Sequence, residues 1–61
     1  MKLAMLPRQE GETIAINTEN IEVILPKGER TAIHLTSGKV ISVDLSMDET
    51  IQRLTQQGWR K

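Results

Sequence analysis

Arg30-Thr31-Ala32-Ile33-His34-Leu35-Thr36-Ser37-Gly38-Lys39-Val40-Ile41-Ser42-Val43 is the stretch on which the fold turns. Its first six residues put Thr31, Ile33 and Leu35 on one face of an extended chain, and its last four put Ile41 and Val43 inward, the period of two that marks half-buried strands. Thr36-Ser37-Gly38-Lys39 between them has the composition of a tight turn. The segment therefore reads as two antiparallel strands, and the β-branched residues in both runs suit a pleated surface.

Towards the N-terminus the same period recurs. Thr13-Ile14-Ala15-Ile16-Asn17 alternates, whereas Ile21-Glu22-Val23-Ile24-Leu25 is less regular and predicts either a bulge or burial on both faces. Glu10-Gly11-Glu12, Asn17-Thr18-Glu19-Asn20 and Pro26-Lys27-Gly28-Glu29 are turn sequences, and links this short favour antiparallel neighbours. A first strand is expected over Lys2 to Leu6, with Pro7 ending it or marking an edge.

Towards the C-terminus the period changes from two to that of a helix. Ser46-Met47-Asp48-Glu49 reads as a capping box in which the Ser46 hydroxyl takes the Glu49 amide and the Glu49 carboxylate reaches back. Met47, Ile51 and Leu54 share one face of the helix that follows. Thr50, Gln52, Arg53, Gln56 and Gln57 make the other side polar. Gly58 fits the left-handed C′ position of a Schellman motif, with Leu54 at C3 and Trp59, the one aromatic residue, folded back upon it. The helix is expected from about Met47 to Gln57. The fold class is thus mostly β with one C-terminal helix: a single small domain over residues 1–61, built on an antiparallel sheet of four or five strands, with closure into a barrel left open.

A domain of 61 residues hides only about 60% of the surface its unfolded chain exposes, so something must supplement its core. With no cysteine and one histidine, neither disulfides nor a zinc cluster can do so. Self-association is the remaining common route, and a homo-oligomer is expected. No apolar run approaches the length of a bilayer span, the first residues are too short a run for a signal peptide, and thiols are absent. These features point to a cytoplasmic protein with no membrane insertion. Eight basic and eight acidic residues cancel, so any attraction for nucleic acid must come from local clustering.

Catalytic groups are scarce. His34 is the only imidazole, either a contact residue on an exposed sheet or an ordinary polar strand side chain. Ser37, Ser42 and Ser46 have local roles in a turn, on an outward strand face and at a helix cap. Glu10 and Glu12 flank a turn glycine, and Asp48 and Glu49 begin a helix, so none forms an acid–base pair. The four glycines lie in separate turns and build no phosphate loop. No enzyme activity, cofactor or small-molecule substrate is expected. The residues proposed to touch a partner are Arg8, Lys27, Arg30 and Lys39, all in or beside turns, together with His34. RNA would engage the basic four, while the aromatic platforms that single-stranded RNA favours are missing from these strands.

Leu6-Pro7-Arg8-Gln9-Glu10-Gly11-Glu12, Asn17-Thr18-Glu19-Asn20-Ile21-Glu22 and Ile33-His34-Leu35-Thr36-Ser37-Gly38-Lys39 resemble the small flagellar-operon proteins of the FlbD/SwrD type. Val43, Ser46, Glu49, Ile51 and Arg53 follow at that family's spacing. The likeness runs from about Leu6 to Leu54, with one residue inserted near Pro26-Lys27-Gly28. Pro7 stands where the family has threonine, and Gly58-Trp59-Arg60-Lys61 is an added end. The resemblance implies a cytoplasmic, non-enzymatic flagellar accessory with a protein partner. A second stretch, Arg8-Gln9-Glu10-Gly11-Glu12-Thr13-Ile14-Ala15-Ile16, is similar to the opening of the CsrA/RsmA translational regulators, dimers that bind GGA-containing messenger RNA. That likeness implies Arg8 as an RNA contact. It also puts Leu45 where those regulators have a second basic residue, and Ser37-Gly38 where they have an Ala-Pro turn.

Overall fold

The computed structural model describes residues 2–59; Met1, Arg60 and Lys61, which enter the reading of the two ends, lie outside the described residues. Five strands precede one helix: β1 Leu3–Pro7, β2 Thr13–Asn17, β3 Ile21–Lys27, β4 Arg30–Leu35, β5 Val40–Val43 and α1 Met47–Gln56. The first strand is displaced by one residue from its expected bounds and ends on Pro7. The protein is mostly β with a C-terminal helix, but its strands form two antiparallel sheets rather than one. β1 pairs with β2, the order β3-β4-β5 makes the other sheet, and neither closes, which removes the barrel alternative.

The division follows from one contact between residues distant in sequence. The Asp44 N–H donates to the Pro7 carbonyl at 3.0 Å, tying the end of β5 to the end of β1. Proline has no N–H to return the bond, so the contact stays single and no ladder grows from it. Within the first sheet the ladder is extended by Thr18 N–H to the Lys2 carbonyl (2.8 Å) and Arg8 N–H to the Glu12 carbonyl (2.7 Å). In the link, Glu10 has φ 62 and ψ 30, a left-handed conformation costing a non-glycine residue about 1–2 kcal/mol.

In the second sheet the irregularity expected near Ile21–Leu25 is a bulge, for Ile21 opposes Leu35 while Val23 opposes His34, leaving Glu22 as the extra residue. The expected turn over Pro26–Glu29 is shorter. Pro26 and Lys27 belong to β3, opposite Thr31 and Arg30, and only Gly28 (φ 63) and Glu29 form the connection. β3 is an edge strand, where a residue lacking a donor is tolerated.

Both sheets turn one face to a common core of Ala4, Leu6, Ile16, Ile33, Val43, Leu45 and Leu54, flanked by Ile14, Ile21, Ile24, Leu35, Ile41 and Trp59. Burying a side chain such as Leu6 or Leu54 stabilises by about 1.5–3 kcal/mol. Thr31 is also fully buried, and its hydroxyl donates to the Leu45 carbonyl at 2.8 Å, which holds the approach to the helix against β4.

The helix starts and stops on the expected signals. Ser46 is extended, and its hydroxyl accepts the Glu49 N–H at 3.2 Å. The Glu49 carboxylate does reach back, but it accepts from the Ser46 hydroxyl (3.2 Å) rather than from the Ser46 amide. The helix ends at Gln56, one residue before the expected end, and Gln57 is the cap. Trp59 N–H donates to the Leu54 carbonyl (2.9 Å) and Gly58 N–H to the Thr55 carbonyl (3.0 Å), with Gly58 at φ 101, the bond pattern of a Schellman motif. One helical assignment changes: Thr50 lies not on the polar outer side but fully buried. Its hydroxyl donates to the Ser46 carbonyl at 2.8 Å, so no polar atom is stranded.

Gln57 stays exposed but also grips β1. Hydrogen bonds alternate along an antiparallel pair, so Leu3, Met5 and Pro7 turn their main-chain groups away from β2. Met5 N–H donates to Gln57 Oε1 at 2.8 Å, and Gln57 Nε2 donates to the Met5 carbonyl at 3.1 Å and the Arg53 carbonyl at 3.2 Å. The side-chain amide occupies the place a neighbouring strand would take.

Ser46→Ala is expected to lower unfolding free energy by about 1 kcal/mol in urea denaturation; an unchanged midpoint would show that the cap contributes nothing. Gln57→Ala should cost about 1 kcal/mol and speed hydrogen exchange at the Met5 amide at least tenfold, whereas unchanged Met5 protection would mean the clamp is not populated in solution.

Candidate interaction surface

Register decides what the second sheet shows to solvent. Ile24, Ile33 and Ile41 share a row on the core side, so Val23, His34 and Val40 form a row on the opposite side. Leu25, Ala32 and Ser42 make the next row, and Lys27 faces Arg30 at the hairpin end. Val23, Leu25 and Val40 are 41%, 46% and 54% exposed. Ala32 is buried on this face without belonging to the core cluster. A half-buried His34 therefore stands between two exposed valines on a face that is apolar apart from His34 and Ser42 and is bordered by two cations.

Three of the five proposed contact residues, Lys27, Arg30 and His34, thus come together on one face. Arg30 does not present a free charge: its Nε lies 3.6 Å from Asp44 Oδ1, both side chains being about half exposed. Arg8 follows Pro7, which is bonded to Asp44, and so belongs to the same end of the molecule as Lys27 and Arg30. That end also carries Glu10, Glu12, Glu29 and Asp44, and the positive charges are interleaved with negative ones. Lys39 lies at the opposite end, in the turn closed by Leu35 N–H to the Lys39 carbonyl (2.9 Å). The basic four do not converge on one rim. Leu45, which the CsrA/RsmA likeness aligns with a basic contact, is buried in the core.

Val23, Leu25 and Val40 were not among the expected contact residues. Their signal is present in the sequence: each is an apolar residue at the wrong parity for the inward set of its strand. The bulge at Glu22 obscures it for Val23 and Leu25, because parity cannot be carried past an extra residue of unknown position. The first sheet has a second, smaller apolar face on which Leu3 and Met5 are 54% and 52% exposed and Ala15 lies opposite Met5.

A groove of about 510 Å³ runs between helix and β1 and is lined by Met5, Glu49, Gln52, Arg53, Gln56 and Gln57. Sites for small molecules are lined mainly by apolar and aromatic groups, and this lining is polar apart from Met5. Among the described residues no group of three or more His, Cys, Asp or Glu could hold a metal ion, and no helix is long and apolar enough to cross a membrane.

Comparison with protein-family models, with curated proteins and with solved structures finds no match for this chain.

Arg30→Ala should change stability by less than about 1 kcal/mol, because an exposed ion pair gains little in water. A thermal melt displaced by an amount corresponding to 2 kcal/mol or more would make the Arg30–Asp44 pair a structural element instead.

Proposed function

We propose that this chain is a non-enzymatic binding module that acts through contacts with a protein partner and with its own copies. The observation that carries the reading is the outer face of the three-stranded sheet, where Val23, Leu25 and Val40 are exposed around His34 with Lys27 and Arg30 at the border. Apolar side chains in a cluster with a polar rim are the usual composition of a protein contact surface. The interleaving of acidic residues with Arg8, Lys27 and Arg30 weighs against a phosphate-binding rim, which gains affinity only from unbalanced positive charge. The likeness of the Asn17–Glu22 and Ile33–Lys39 stretches to the FlbD/SwrD type suggests the setting, an accessory of flagellar function in the cytoplasm.

The test is a photo-reactive amino acid placed at Leu25 or Val40 and irradiated in cells. A discrete protein adduct is expected at both positions and not at Thr55 on the exposed side of the helix, and it should vanish when Val23→Lys is added. Identical patterns from all three positions would remove the assignment. A gel shift with short GGA-bearing RNA hairpins decides the alternative: a salt-sensitive, sub-micromolar shift lost in Arg8→Ala would replace the protein-binding reading with a translational regulator.

A further inference from the structure

Sheet edges invite pairing with other chains unless something blunts them, and the edges of this molecule are treated unequally. The outer edge of β1 is occupied at Met5 by the Gln57 amide and at Pro7 by Asp44. β3 carries a bulge at Glu22, a proline at position 26 and a lysine at 27. β5 has four residues and is followed at once by the bond to Pro7. β2 has none of these devices. Thr13-Ile14-Ala15-Ile16-Asn17 contains no charge and no proline, and its register with β1 runs without a shift. The alternation that points Met5 away from β2 points Thr13, Ala15 and Asn17 away from β1. The Asn17 carbonyl already accepts within the 3-10 turn over Thr18–Asn20 that Asn17 caps, keeping its second lone pair, while among the described residues no turn, loop or side-chain group bonds the outward main chain of Thr13 or Ala15.

We infer that β2 is the self-association edge of this protein, pairing antiparallel with β2 of a second copy about a twofold axis at Ala15. The inference rests on the self-association in the proposed function and gives it a location. A second copy fits better than an arbitrary extended peptide because the strand is complementary to itself. With Ala15 on the axis, Ala15 opposes its own equivalent and Thr13 opposes the partner's Asn17, each pair able to exchange N–H and C=O bonds. The intervening positions bring the half-buried Ile14 beside the partner's Ile16, which joins the two cores. On the outer face Leu3, Met5 and Ala15 continue across the axis into the same residues of the partner. Any charged residue at the centre of the strand would meet a like charge under this symmetry, and β2 has none.

The experiment is sedimentation velocity on the full chain from micromolar to millimolar concentration, with hydrogen exchange on the same samples. The wild type should form a reversible dimer, and the amides of Thr13, Ala15 and Asn17 should slow as concentration rises. Ala15→Lys should weaken the dimer at least tenfold, as should Ala15→Pro, which removes an outward N–H without touching the ladder to β1. Leu25→Lys, on the other sheet, should dimerise as the wild type does. Circular dichroism identifies the variants that remain folded, and if Ala15→Pro does not fold, Ala15→Lys and the exchange data decide. A folded Ala15→Lys that dimerises normally, or three amides indifferent to concentration, would overturn the β2 edge while leaving self-association through another surface. A wild type that stays monomeric to millimolar concentration would overturn both.

Discussion

The rest of the structure depends on one helix covering two sheets that barely touch. Apart from the single bond from Asp44 to Pro7, what makes the sheets one body is the apolar layer between them, and α1 packs against β1, β3 and β4 together. Leu54 sits fully buried in that layer. The same leucine supplies the carbonyl that closes the helix onto Trp59, so position and termination of the helix are fixed by one residue. Nine residues before Leu54, the Leu45 carbonyl accepts from the Thr31 hydroxyl of β4, just before the helix begins. In a core that, among the described residues, holds seven buried apolar side chains, loss of helix docking would leave a two-stranded ribbon that is marginal alone in water and would uncover the apolar face of the three-stranded sheet.

Legibility in the sequence followed the range of the interactions. The Ser46 cap, the Leu54–Trp59 closure, the bulge near Glu22 and the turn at Thr36–Lys39 are set by residues within a few positions of one another, and each was readable. The partition into two sheets was not, because it follows from Pro7 meeting Asp44 across 37 positions, a contact that no local pattern announces. Thr50 was misread as part of the polar outer helix face, and the particular contact that Gln57 makes from that face was not foreseen, for a related reason. A threonine that satisfies its hydroxyl within its own turn can be buried at little cost, and a glutamine can serve a distant backbone as well as water.

The candidate surface was partly legible. His34, Lys27 and Arg30 share a face because strand parity puts them there, whereas Lys39 falls at the far end and Arg8 belongs to a link between strands. What parity could not give was the apolar character of the face, since the extra residue in β3 reverses the sense of everything after it. Charge tells a consistent story at larger scale: a chain with equal numbers of acids and bases also alternates them at the end where its cations gather.

On the proposed β2 pairing, the Gln57 clamp bears on how far an assembly could grow. A protein with one unguarded strand margin stops at a pair, because joining consumes the margin of both members. A molecule clipped just ahead of Gln57 would keep all five strands but offer margins on both sides of its smaller sheet, and units of that kind add end to end without limit. On that pairing, the amide of one side chain, together with the Asp44 bond at Pro7, is what would separate a closed assembly from a filament.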